Sequence, residues 1–149
     1  MHGRVVDGRQ DRPENGVLQN GWPAEITLDG RTYPSVTHAY WALSTDDPEW
    51  HDLIATTGDL FDAVDGAQEA PRRPGWPAIR LAVMTRLLRA KFAQHPDMAR
   101  TLLATGDARI VYSGAGSAYW TASTERSSNW IGRLLELVRS ELAAGAAGK

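Results

Sequence analysis

The chain has 149 residues, 42% of them hydrophobic and 23% charged, which suits a single soluble domain that can bury its own core. A net charge of -2 supplies no broad electrostatic grip on nucleic acid or on an anionic membrane. The absence of cysteine excludes thiol catalysis, disulfides and zinc–thiolate sites, and the four histidines, His2, His38, His51 and His95, show no metal-ligand spacing.

Residues 1–16 are polar, with no apolar signal region, and are expected to form a mobile arm. No run of about 18 apolar residues follows, so the cytoplasm is the expected location. Residues 24–33 alternate Ile26 and Leu28 before Asp29-Gly30, the pattern of two short strands around a tight turn. Ser35 is placed to cap a helix starting near Val36 that carries Thr37, His38, Tyr40 and Trp41. Thr45-Asp46-Asp47-Pro48 predicts a second helix start, with acids ahead of a proline at the first helical position. A shorter helix is expected at about 60–68, then a loop holding Arg72 and Arg73.

Leu81, Met84, Leu88 and Phe92 recur at helical spacing and predict a buried helix over 76–94. His95-Pro96 breaks it, and a further helix to Ala104 and a short strand at 109–112 follow. Residues 113–128 form a long Gly/Ser-rich loop, of a length usually reserved for function. Within it the Tyr119-Trp120 pair is unusual, and Glu125 and Arg126 follow. The last helix is expected over 130–144, with Ile131, Leu134, Leu135 and Val138 inside. Together these elements predict an α+β, mainly helical domain over 17–144 and a frayed tail at 145–149.

Chemistry has three candidate locations: Asn20, Trp22, His38 and Tyr40 around the hairpin-to-helix junction, the Arg72-Arg73 pair, and Tyr119, Trp120, Glu125 and Asn129. Aromatic faces stack on a base, and arginine meets phosphate. Each location also has a scaffold reading, with His38 as a half-buried hydrogen-bonding residue, Trp120 as a hydrophobic plug and Asn129 as a helix cap.

Several segments resemble one family. Leu28-Asp29-Gly30-Arg31-Thr32-Tyr33-Pro34 and His38 are similar to the hairpin and Pro-x-x-Glu-His-x-x-Gln stretch of the NADAR (YbiA-like) N-glycosidases. Arg73-Pro74-Gly75-Trp76 resembles that family's Arg-x-x-Trp, and Arg89-Ala90-Lys91-Phe92 its Arg-Ala-Lys-Phe. Leu102-Leu103-Ala104-Thr105-Gly106-Asp107, Tyr119-Trp120 and Asn129-Trp130-Ile131-Gly132 complete the resemblance in order across about residues 18–142. It implies a compact domain that cleaves the N-glycosidic bond of a ribosylated substrate, either a riboflavin-pathway intermediate or an ADP-ribosylated base. It implies no metal or other cofactor. The expected partner is a small ribosylated or phosphorylated molecule, and an ADP-ribosylated nucleic acid is not favoured by the charge.

The same resemblance assigns substrate contacts to Asn20, Trp22, Tyr40, Arg73, Tyr119, Trp120 and Asn129, and catalysis to His38, with Glu125 as a substitute acid. It also exposes replacements. The family's glutamate before His is Thr37, its lysine falls at Ser44, its post-strand acid at Tyr112 and its loop aspartate at Ala122. A catalytically silent nucleotide- or ADP-ribose-binding protein is therefore the alternative reading.

Overall fold

The computed structural model describes residues 4–8, 10–113, 117–122 and 124–147. Among them are six α-helices and five short strands in antiparallel pairs, the mainly helical α+β architecture expected. No helix among the described residues is long and apolar enough to cross a membrane. The chain divides into two compact units, Asn20–Gln94 and, from the two ends of the sequence, Met1–Gln19 with His95–Lys149.

In the unit Asn20–Gln94, β3 (Ile26–Leu28) and β4 (Arg31–Tyr33) pair in the register Ile26↔Tyr33, Thr27↔Thr32 and Leu28↔Arg31. Asp29 and Gly30 both take positive φ, 53° and 80°, the backbone that a two-residue turn needs to match strand twist. Four helices follow: α1 (Val36–Leu43), α2 (Pro48–Thr56), α3 (Leu60–Glu69) and α4 (Trp76–Gln94). The first three are capped by Ser35, Asp47 and Asp59, whose side chains accept amide protons of the first turn. On α4, Trp76, Met84, Leu87, Leu88, Lys91 and Phe92 are buried. Two polar straps hold α4 to the hairpin. Arg86 grips the Asp29 carboxylate with both Nη atoms at 2.9 and 2.7 Å, and the Gln94 amide takes both backbone groups of Thr27 at 2.9 and 2.8 Å.

In the other unit, β1 (Arg4–Asp7) lies between β2 (Gln10–Asp11) and β5 (Ile110–Ser113). Part of the expected mobile arm is thus the middle strand of a sheet, paired Val5↔Tyr112 and Asp7↔Ile110. Val5 and Asp7 both turn inward. The buried Asp7 carboxylate accepts from Asn15 Nδ2 at 2.8 Å and pairs with Arg12 Nε at 3.3 Å, so the polar composition of this segment is internally satisfied. Residues 1–3 and 9 of that expectation lie outside the described set. A 3₁₀ helix (Pro13–Leu18), α5 (Pro96–Ala104) and α6 (Trp130–Ala147) complete the unit. The helix of α6 continues through 145–147, where a frayed tail was expected, and residues 148 and 149 lie outside the described set.

β5 has β1 on one edge, and its other edge is closed by single groups rather than by a strand. Asn129 Oδ1 accepts from the Tyr112 amide and Nδ2 donates to the Ile110 carbonyl, both at 3.0 Å. Glu136 accepts from the Ile110 amide at 3.0 Å, and the Ala122 amide donates to the Tyr112 carbonyl at 2.8 Å. This arrangement requires Gly132. A Cβ there would fall on the Ile110 carbonyl oxygen and 2.5 Å from Asn129 Nδ2. Gly132→Ala should therefore destabilise the protein by about 3 kcal/mol or more, the upper part of the overpacking range, despite the better helix propensity of alanine. Urea unfolding measures this, and an unchanged midpoint would contradict the proposed close approach of α6 to β5.

Candidate functional site

In the unit Asn20–Gln94, the junction of hairpin and α1 holds most of the expected contacts. Ser35 accepts from the His38 amide at 3.2 Å, the ordinary cap geometry. The His38 ring then makes two internal bonds, Nδ1 to Ser35 Oγ at 2.7 Å and Nε2 to the Thr57 carbonyl at 3.0 Å. A carbonyl only accepts, so Nε2 carries the proton and Nδ1 of the neutral ring takes the serine hydroxyl proton. Burial pushes the His38 pKa down and keeps the ring neutral. Nδ1 thus bonds the cap of α1 itself, and Nε2 ties α1 to the segment after α2.

Asn20 is buried as well: its carbonyl accepts from the Thr37 amide at 3.1 Å, and Nδ2 lies 3.5 Å from Met84 Sδ. Trp22, by contrast, is 41% exposed, an unusual position for a large indole.

Tyr40 is buried within an aromatic group, its ring 5.0 Å from Trp41 and 5.1 Å from Trp76. The Arg72 guanidinium lies over Trp41, 5.2 Å from the ring centroid, and Nη1 donates to Ser44 Oγ and to the Ala67 carbonyl, each at 3.0 Å. Arg73 donates to the Leu43 carbonyl at 3.3 Å and pairs with Asp46 at 3.5 Å, while its amide donates to the Ser44 carbonyl at 2.8 Å. The two arginines are therefore anchored to the C-terminal end of α1 rather than free in a loop. The sequence marks the arginine pair and Tyr40, and the Ser44 hydroxyl, which receives the Arg72 bond, is added by the structure.

In the other unit, the Gly/Ser-rich segment has defined order where it is described. The carbonyls of Tyr119 and Trp120 accept from the amides of Trp130 and Ile131, and the Ala118 carbonyl from Ser128. The first amides of α6 are thus occupied by the loop. Tyr119 and Trp120 stand edge to face at 4.8 Å, with Trp130 6.3 Å from Tyr119 and the Arg133 guanidinium 4.8 Å from the Trp130 ring. Tyr119 and Trp120 are half-buried and Glu125 is exposed. Asn129 is 3% exposed and bonds β5 with both ends of its amide, at a backbone φ of 50°. Its side-chain donor and acceptor both serve the strand. Asparagine tolerates this left-handed backbone better than most residues.

Of the positions where the resemblance implies ionisable groups, Thr37 is half-buried at the start of α1, Ser44 and Tyr112 are buried, and Ala122 is half-buried. One ionisable residue passed over as a site in the sequence reading is conspicuous. Lys91 is completely buried on α4, and burial pushes its pKa down to about 7. Its position seven residues after Met84, on the same stripe, marks it as inward-facing from spacing alone. Among the described residues, no group of three or more His, Asp or Glu is arranged to hold a metal ion.

With this geometry in hand, the comparisons with known proteins agree on one class. The sequence matches the NADAR domain over residues 9–143, and the chain belongs to the NADAR family. It is similar to N-glycosidase YbiA of Escherichia coli, with 32% identity over 96% of this chain and 91% of that protein. It is also similar to a riboflavin biosynthesis protein of Vibrio vulnificus, with 34% identity over 86% of this chain, but it spans only 36% of that longer protein. The solved structure of Escherichia coli YbiA superposes with a TM-score of 0.82 at 29% identity, covering 90% of this chain and 82% of that one.

The buried Lys91 generates a prediction with a definite sign. Between its folded pKa of about 7 and its ordinary value of 10.5, the unfolded chain binds the proton and the folded chain does not. Stability should therefore rise as pH increases from about 7 towards 10, and Lys91→Met should remove that rise. Urea midpoints of both proteins across this range test it. Parallel profiles would show that Lys91 keeps its charge in the fold.

Proposed function

We propose that this protein is an N-glycosidase that hydrolyses the bond between a ribosyl carbon and a base nitrogen in a phosphorylated, ribosylated small molecule. The observation that carries this reading is the similarity to N-glycosidase YbiA along almost the whole of both chains. The substrate classes it suggests are a ribosylaminopyrimidine phosphate of riboflavin synthesis and an ADP-ribosyl group on guanine. The working location is the cytoplasm, with no membrane partner.

In the reaction, a water oxygen bonds to the anomeric carbon as its bond to the base nitrogen breaks. The bonding pair and a proton end on the departing base. Positive charge develops on the sugar, so a carboxylate stabilises the transition state or activates the water, and an acid assists the leaving nitrogen. Glu125 is our assignment for the carboxylate. Within the unit Asn20–Gln94 we assign Trp22 to stacking on the base and Arg73 to the phosphate; within the other unit we assign Tyr119 and Trp120 to stacking. Asn20 and Tyr40 of the first unit, both buried, are our further assignments to the substrate.

A second reading, a silent binder of the same ligands, is favoured by one specific observation. Thr37, Ser44 and Ala122 carry neither a carboxylate nor an amine, and His38 has both ring nitrogens engaged.

Release of free base from a ribosylaminopyrimidine phosphate and from ADP-ribosylated guanine separates the two. We expect slow release by the wild type and a gain of about 10²-fold in the double variant Thr37→Glu, Ala122→Asp, a typical general acid–base contribution. A wild type as fast as the double variant would show that those replacements do not limit the reaction, and two inactive proteins that still bind ligand would support the silent reading. Trp120→Ala should weaken ADP-ribose binding by about 1–3 kcal/mol, as loss of a base-stacking ring does, with little change in melting temperature. An unfolded variant would instead make Trp120 part of the core.

A further inference from the structure

Three arginines of the unit Asn20–Gln94 each hold a carboxylate: Arg31 that of Asp52, Arg73 that of Asp46 and Arg86 that of Asp29. Arg72 does not. Among the described residues its partners are all neutral, namely the Ser44 hydroxyl, the Ala67 carbonyl and the face of Trp41. Both hydrogen bonds leave from Nη1, so the edge formed by Nε and Nη2 donates to nothing among the described residues.

The clamp on this charge is built. Ser44 is completely buried, and its hydroxyl proton goes to the Trp41 carbonyl at 2.6 Å, which turns an oxygen lone pair towards Arg72. Trp41 in turn packs on Tyr40, and Tyr40 on Trp76. A free surface arginine loses rotamer entropy when it is fixed, and nothing in the scaffold recovers that loss through a counter-charge. A planar fork held still, with one two-donor edge uncommitted and its positive charge unneutralised by a carboxylate, has the geometry for bidentate contact with a phosphate.

We propose that Arg72 is an anion-binding residue that takes a phosphate group of the ligand through Nε and Nη2, and that Ser44 and Trp41 are its positioning residues. This deepens the reading above, since it requires the ribosylated ligand to carry a phosphate, but it does not require that the glycosidic bond be cleaved.

The test uses ribose 5-phosphate, ribose and inorganic phosphate as probes, titrated by calorimetry into the full-length protein. Wild type should bind ribose 5-phosphate at least about tenfold more tightly than ribose, the difference expected of charge-assisted hydrogen bonds. Arg72→Gln should lose that discrimination while ribose binding is unchanged. Arg72→Lys should recover part of it, because a point charge cannot make the two-pronged contact. Ser44→Ala, which keeps the charge and releases the fork, should weaken ribose 5-phosphate but not ribose. Wild-type affinity for the phosphate should also fall with salt, and that dependence should flatten in Arg72→Gln.

An Arg72→Gln variant that still discriminates, or a wild type that binds ribose 5-phosphate and ribose alike, would overturn the proposal. Should Arg72→Gln fail to fold, Arg72→Lys and Ser44→Ala decide by the same discrimination. Base release, assayed separately, keeps the two readings apart. Phosphate discrimination without base release sinks hydrolysis and leaves Arg72 standing. Base release with kcat/KM unaffected by Arg72→Gln does the reverse.

Discussion

The carboxamide of Asn129 stands where a further strand would be. It accepts from one backbone amide of β5 and donates to one carbonyl, the same exchange that a neighbouring strand makes. An uncovered strand edge carries unpaired backbone groups that cost free energy when buried and invite pairing with other chains when exposed. Here α6 and the loop before it close the edge with Asn129, Glu136 and the Ala122 amide. The helix must approach within contact of the Ile110 carbonyl to do so, and only glycine at position 132 admits that approach. Gln94 closes the edge of β3 at Thr27 by the same device in the other unit.

The same economy gives several polar residues that look like ligand contacts a bond to the scaffold. An amide that can bind a ribose hydroxyl can equally well complete a strand, and a histidine that can move a proton can equally well bridge a serine and a carbonyl. Asn129 and His38 both follow the second course, and their burial makes each bond costly to break. Other candidates differ in kind: in the unit Asn20–Gln94 the indole of Trp22 is exposed, and in the other unit the rings of Tyr119 and Trp120 are half-buried.

The local elements were legible because each rests on a local rule. Asp29-Gly30 specifies its turn, Ser35 and Asp47 their caps, and the stripe from Met84 to Phe92 the extent of α4. β1 was missed because its reasons are distant. Two valines followed by an aspartate carry little strand signal, and the partners that make Asp7 tolerable inside are Asn15 and Arg12, while the pairing strand lies more than 100 residues on. At the candidate site, residue type was informative and direction was not. The sequence contains Asn129, His38 and Lys91 plainly, but whether each faces a ligand, a backbone or the core is decided by packing. Lys91 enters the sequence reading only within the Arg-Ala-Lys-Phe motif, because a hydrophobicity pattern skips a lysine even where its spacing places it on the buried stripe.

The Ser44–Arg72 pair bears on what kind of chemistry such a site can perform. The family resemblance implies a lysine at position 44, and a small serine there leaves the guanidinium of Arg72, from a different segment, bonded at that point. Positive charge is thus kept in place while its chemistry changes. A lysine amine with a lowered pKa can attack a sugar carbonyl and form an imine. A guanidinium stays protonated throughout the range in which proteins work and has no free pair to give. Charge at this position can orient an anion and lower the energy of a developing negative oxygen, but it cannot form a covalent intermediate. A guanidinium at this position therefore offers positioning and electrostatic stabilisation and no imine of its own.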